Sequence, residues 1–495
     1  MSTIAVPTKP TSLAGPLLWG LIGLAVAGLL VASVAELNRM AIILLITVPL
    51  LTLVVVNVEF GIYLLLGYSS VLGFMIRMLP PQNSGPIGIA LDGLLLIMGL
   101  RLALDLARRR DWKIFASPLT MPICIFVAFQ FVEVFNPAAP SLMFGLWGLR
   151  VTLRILSFFL VLYYFRDARA IKRLMNFWLT LMALVGAYGI FQHHHGLLWQ
   201  EMEWLLTEGN AKTHILFGYV RVFSTVGDAA TFGFLMIMSS LIMISLAMSA
   251  KPLKALLLMV GTLPMLYGCV VSYSRGPVLA LAFGIGLMVL ASRNWKLGVA
   301  ASAVGALGLV LLVASGSTKL VDRLSTATNP LEDASFMTRV AYVTQYVPEI
   351  AKRPFGYGIN TSGGNGAKVA GTTQMRNSVV GVPTDNYFFK VALEMGWVGL
   401  ILFTWLHVMA VVETYKVYRR TRDPYLKAIA LGLFGVLFCL FTGGFSNDLH
   451  SQKPLAEFFW IALGLVMLIG QRQAQPAPSP RAMIMLALPP GTVRT

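Results

Sequence analysis

Charge is scarce in this chain: Asp, Glu, Lys and Arg make up only 12% of its 495 residues, and 21 of them are acidic. Beside 57% hydrophobic residues and a mean hydropathy of +0.76, so little charge excludes a soluble globular domain and leaves a polytopic membrane protein. Cysteine is nearly missing. The three present, Cys124, Cys269 and Cys439, fall inside apolar segments, which excludes a disulfide framework or a thiolate metal cluster and makes them packing residues. Of six histidines, His193, His194 and His195 are consecutive, so their imidazoles do not converge on one ion, and no acidic or cysteine cluster stands beside them. No metal is expected there; a place at the membrane interface beside Trp199 and Trp204 is. P-loop, GxSxG elbow and an inside DxD-like pair are all missing, which leaves an ATP-driven pump or a nucleotide-sugar enzyme without support. No cofactor is expected.

What the chain has in abundance is long apolar runs. A spanning helix needs about 20 such residues, and about fourteen segments qualify, with 12–14 spans plausible, centred near residues 26, 48, 68, 96, 127, 155, 182, 238, 262, 284, 305, 400, 434 and 462. The expected fold is therefore an all-α polytopic membrane protein. The run Pro16 to Val34 reads as a retained first helix, since no small-residue cleavage pattern follows it. Alternating the helices from a cytoplasmic N-terminus puts 21 Lys and Arg on inside segments and four, Arg39, Arg77, Arg275 and Lys453, on short outside ones. This is the positive-inside asymmetry. The net charge of +17 thus reports topology, and a nucleic-acid partner is not expected.

Residues 1–15 read as a cytoplasmic N-terminal segment, 16–195 as the first block of helices, and 196–314 as an outside loop followed by central helices. A large outside loop, 315–385, precedes the C-terminal helices, 386–471, and a disordered cytoplasmic tail, 472–495. Within the large loop, Phe336, Val340, Val343, Val347 and Ile350 recur at helical spacing and predict an amphipathic helix. The glycine-rich GYGINTSGGNGAKVAG after it suits a loop beside a site.

Ionisable groups in or near a bilayer are expensive and are functional candidates by default. Arg150 and Arg154 lie four apart and so share a helix face, where they either snorkel toward headgroups or meet an anionic ligand. Arg275, in the tight outside connection SYSRGP, holds a planar fork of donors that suits phosphate oxygens. Arg221 and Arg339 stand on the same outer side. So does Asp385, which with Thr384 and Asn386 opens the helix of PTDNYFFKVALEMGWVGLILF either as a cap or as a chemical group.

In order, RVFSTVGDAATFG, SYSRGP, DRLSTATNPLEDASFMTR, RPFGYGIN and DNYFFKVALEMGWVG resemble the O-antigen ligase and Wzy-type polysaccharide polymerase superfamily, over roughly residues 215–445. The resemblance implies a bacterial inner-membrane glycosyltransferase of the GT-C type, its large loop in the periplasm and its donor an undecaprenyl-pyrophosphate-linked oligosaccharide. It implies that Arg275 and Arg339 line the pyrophosphate site, that Arg221 opens the preceding motif, and that Gly356 and Gly358 shape the returning loop. Asp385 would receive or orient the acceptor proton and Asn386 would bond a sugar. Ligases typically have histidine where Asp385 stands, which favours a polymerase of exopolysaccharide or O-antigen over a ligase acting on lipid A-core. Asp228 stands where relatives commonly have asparagine, so little role is expected of it. A lipid-linked oligosaccharide transporter is the non-enzyme alternative. Membrane lipid, a flippase and a chain-length regulator are the further partners implied.

Overall fold

In hydrocarbon, backbone groups must find their hydrogen bonds within the protein, so isolated apolar runs of this length fold as helices. The computed structural model describes residues 39–474 apart from 80, 207–210, 217, 296–297, 300–301, 303–304, 307–333, 365, 368 and 370–378. Among these residues ten helices, from Val58–Arg77 to Leu455–Gln473, are long and apolar enough to cross a membrane, and Thr47–Val56 and Thr120–Glu133 are shorter apolar helices. The protein is an all-α multi-pass membrane protein. Its one β-ladder among the described residues pairs Ile215–Leu216 with Tyr219–Val220. Of the expected segments, the one near 26 and most of the one near 305 lie outside the described residues, as do 1–15 and the tail beyond 474.

The helix Ala229–Ser249 forms the centre. It is apolar all round, and 94% of its span is buried against 22% for Arg275–Ser292, which lies on the outside of the bundle. Around it pack Ala168–His195, Pro252–Val271, Arg275–Ser292 and Pro424–Gly443. Where Arg275–Ser292 meets Pro424–Gly443, a Cβ on Gly284 would come within 2.4 Å of Cys439 Sγ. The small side chains let the two helices touch.

Because successive helices alternate in direction, the starts of Ala229–Ser249, Arg275–Ser292 and Tyr387–Arg420 share one end of the bundle with the finishes of Pro252–Val271 and Pro424–Gly443. Arg77 organises that end. Its Nε donates to Glu201 at 3.2 Å, its Nη1 to Val226 O at 2.7 Å and its Nη2 to Ser224 O at 2.5 Å, and its guanidinium carbon lies 4.5 Å from the Phe223 ring centre. Both charges are buried. A sequence reading that counts Arg77 only as a loop charge misses that it fixes the stretch leading to Asp228. Arg77→Met leaves the buried Glu201 charge without its counter-ion, and a loss of about 3–5 kcal/mol is expected; unfolding of the detergent-purified chain measures it, and an unchanged midpoint would refute the assignment.

The amphipathic helix is Ala334–Ala351, and its buried face keeps Val343 and Ile350 of the expected stripe but not Val340 and Val347. Tyr346 and Ile350 are buried, with Tyr342 and Val343 packed beside them against Val379, Val382, Phe389 and Leu393, whereas Val340 and Val347 are 39% and 51% exposed. The expected stripe left out Tyr342 and Tyr346. Two tyrosines, whose rings bury more surface, turn the helix instead.

The helix Tyr387–Arg420 breaks at Gly396, where φ is +66°. The returning loop occupies the break: Val398 N donates to Pro354 O, Tyr357 N to Leu393 O and Gly358 N to Glu394 O. Glu394 itself is buried and accepts from Asn360 N at 2.9 Å, Ser362 N at 3.1 Å and Ser362 Oγ at 2.6 Å. One carboxylate thus clasps the loop that follows RPFGYGIN.

Candidate functional site

At the end of the bundle just described, three helix starts open onto one cavity of about 630 Å³. Asp228, Ala229, Ala230 and Thr231 come from the first, Ser274, Arg275 and Gly276 from the second, and Asp385, Asn386 and Phe389 from the third. Each start carries positive partial charge, a setting that favours an anion. Asp228 caps its helix by accepting from Thr231 N at 2.9 Å, and Asn386 caps its own by accepting from Phe389 N at 3.0 Å. Ser274 makes no capping bond through its side chain.

The structure brings together four of the sequence-expected residues here: Arg221, Arg275, Asp385 and Asn386 all line this cavity. Their duties differ. Arg221 donates through Nε to Ser272 O at 3.2 Å and through Nη1 to Thr213 O at 3.2 Å, and its Nη2 bonds Ser274 Oγ. It ties the hairpin region to the SYSRGP turn and so positions Arg275. Gly276 lets that turn come close to the facing segment, because a Cβ there would lie 2.7 Å from Ser446 Oγ and 3.0 Å from Asn447 Nδ2. The cap before Tyr387 is Asn386 and not Asp385. The carbonyl oxygen of Asn386 serves the cap, so its amide nitrogen is the part available to a sugar. Arg339 lies on the helix Ala334–Ala351, which also contributes Tyr342 and Val343 to the lining; its side chain is outside the described residues.

A second cavity of about 850 Å³ adjoins the first and shares Gly227, Asp448 and Gln452 with it. Arg150 and Arg154 line this one, beside Lys390 and Lys453. The expected common face is bent by a 3-10 turn, Leu153–Ile155, and the two arginines meet different partners. Arg150 donates to Asp92 at 2.9 Å and lies over the Trp147 ring, whereas Arg154 reaches Ser451 O at 2.7 Å and Glu457 at 3.3 Å. Lys453 bonds Asp92 at 3.0 Å; burial and then Arg154 push its ammonium below the usual lysine range, against the pull of Asp92. Lys390, deep in the apolar run after Asn386, bonds Asp448 at 2.7 Å and Ser451 Oγ at 3.0 Å. Sequence reasoning passed over Lys390 and Glu394. The signal was present: two charges four residues apart inside a membrane helix are too costly to be incidental.

Gly356 and Gly358 do not touch the first cavity. They hold φ of +65° and +94° and pack the loop against the break at Gly396, where a Cβ on Gly356 would lie 2.5 Å from Gly396 N. Their part is to deliver the loop. Asn360, at its end, lines the second cavity.

The architecture thus defines a multi-pass membrane protein with paired polar cavities at one end of its bundle. Residues 260–404 match the O-antigen ligase family, and over 259 residues, half of the chain, it is 22% identical to an O-antigen polymerase from Salmonella muenchen. Both matches support a likeness to the O-antigen ligase and Wzy-type polymerase superfamily. The chain spans 61% of the length of that Salmonella relative.

Proposed function

We propose that the chain polymerises undecaprenyl-pyrophosphate-linked oligosaccharide repeats by glycosyl transfer at the periplasmic face of the bacterial inner membrane. The observation that carries this reading is the convergence of Arg275, Asp385 and three helix starts on one cavity. Orientation is supported by the basic residues Lys251, Arg293, Arg419, Arg420 and Arg472, which stand at the opposite end of the bundle, as expected of a cytoplasmic side. A donor whose lipid lies in the bilayer and whose sugars lie outside reaches such a cavity from the membrane.

In the transfer, an acceptor hydroxyl oxygen bonds to the anomeric carbon of the donor. The bond from that carbon to the pyrophosphate oxygen breaks, and its electron pair leaves with the diphosphate. Charge grows on the leaving group, so the Arg275 guanidinium and the helix starts stabilise the transition state more than the ground state. Asp385 takes or orients the hydroxyl proton. The acceptor repeat lies in the second cavity, where the Trp147 ring and the paired cations offer a stacking face and donors to a sugar chain. Holding both glycans in line supplies much of the rate.

Purified protein with a synthetic lipid-linked repeat tests this directly. Longer lipid-linked glycans without a second enzyme are expected. Transfer only to lipid A-core would make the chain a ligase, and movement of unaltered repeats across vesicles would make it a transporter. Asp385→Asn is expected to slow extension by about 100-fold or more with the protein still in the membrane; near-parental turnover would leave Asp385 no chemical part.

A further inference from the structure

A cavity of about 1130 Å³ lies at the end of the bundle opposite the paired cavities, and the proposed transfer makes no use of it. Its walls are the last turns of Tyr387–Arg420 and Leu455–Ala474, the start of Pro424–Gly443 and the segment around Ala116 and Pro118. Six cations line it: Lys416, Arg419, Arg420, Arg422, Lys427 and Arg472. Glu413 is the one carboxylate in the lining, and Lys416 takes it up at 2.6 Å.

Helix C-termini favour cations, and the orientation of the chain calls for basic residues at this end. Both facts account for positive charge; neither accounts for a hollow built around it. Cations gathered around one space repel each other until counter-charge enters. Some are held by the protein, since Arg472 donates to Arg166 O at 2.6 Å and Arg419 bonds the Tyr415 hydroxyl at 3.5 Å. Arg420 and Arg422 are exposed, and neither forms a hydrogen bond or ion pair with any of the described residues. Gln471 also lines the cavity, and its buried Nε2 has no partner among the described residues. Val417, Met467 and Gly470 add an apolar wall on the bilayer side of these donors.

We propose that this cavity binds a ligand bearing two phosphate groups, either the headgroup of a diphosphatidyl lipid of the surrounding membrane or a soluble diphosphate. Two anionic centres answer the surplus of cations where a single phosphate would not, and guanidinium forks suit phosphate oxygens. Basic hollows between helix ends at the headgroup level are suited to lipids of this kind. The site is independent of whether the chain transfers glycans.

Thermal unfolding of the full chain in detergent, titrated with cardiolipin, with phosphatidylglycerol and with inorganic pyrophosphate, tests the proposal. A saturable rise in unfolding temperature is expected with cardiolipin if the ligand is lipid, and with pyrophosphate if it is soluble. Phosphatidylglycerol, at equal phosphate, is expected to be weaker. The double variant Arg420→Gln, Arg422→Gln is expected to keep the ligand-free unfolding temperature and to need about fivefold more ligand per guanidinium removed. Arg275→Ala is expected to leave the titration unchanged, which separates this cavity from the candidate active site. No saturable response, a response undiminished in the double variant, or equal potency of phosphatidylglycerol would overturn it.

Discussion

Arg275→Ala is expected to lower polymer formation from a lipid-linked repeat by about 100- to 1000-fold, the range found when one donor to a developing anion is removed. The chain is expected to stay folded and in the membrane. Arg275 opens its helix at the mouth of the cavity, where it is half-buried and surrounded by helix starts. Removing a guanidinium from that setting takes away charge where charge develops, with little change in packing. Arg275→Lys sharpens the test, because an ammonium restores the charge but not the planar fork; partial recovery is expected. Arg221→Ala is expected to lose activity by a different route, since its bonds to Ser272 O and Ser274 hold the Arg275 turn. Arg339→Ala is expected to match Arg275→Ala. Assay of extension per folded protein, with yield from size-exclusion as the denominator, distinguishes these effects from loss of fold. Polymer of normal length and amount from Arg275→Ala would remove the basis of the proposed chemistry.

Much of the scaffold was legible in the sequence because hydropathy acts locally: the composition of each apolar run decides by itself whether that run can span. The end of the bundle that bears the candidate site was legible too, because Arg275 and Asp385 stand at helix boundaries that the runs themselves mark. Pairing was not. Arg150 reads as half of an arginine pair until Asp92, 58 positions away, is found against it. Arg77 reads as a loop charge until Glu201, 124 positions away, is buried on it. The amphipathic helix was found by its period, but its orientation depended on Phe389 and Leu393, which belong to another helix. Lys390 and Glu394 were visible as residues and still missed, since averaging hydropathy over a run dilutes two charges that packing has placed with care.

Gly396→Ala is expected to destabilise the chain by about 2–5 kcal/mol, the sum of a non-glycine residue forced to positive φ and an overpacked contact. Gly396 holds φ of +66°, and a Cβ there would lie 2.1 Å from Pro354 O and 2.6 Å from Arg353 O. Those are backbone atoms, so no side chain can swing aside. The loop must withdraw instead, and with it go the bonds from Val398 N, Tyr357 N and Gly358 N that seal the break. Gly286→Ala supplies the contrast. Gly286 sits inside Arg275–Ser292 with nothing within 4 Å of its added Cβ, so the same substitution is expected to be neutral or slightly stabilising through helix propensity. Unfolding temperature and extension measured together separate two consequences of Gly396→Ala. If the loop only braces the bundle, stability falls and activity per folded molecule is kept. Because Asn360 at the loop's end lines the second cavity, activity per folded molecule is expected to fall as well, and full activity from the folded fraction would show that the acceptor side does not depend on this clasp.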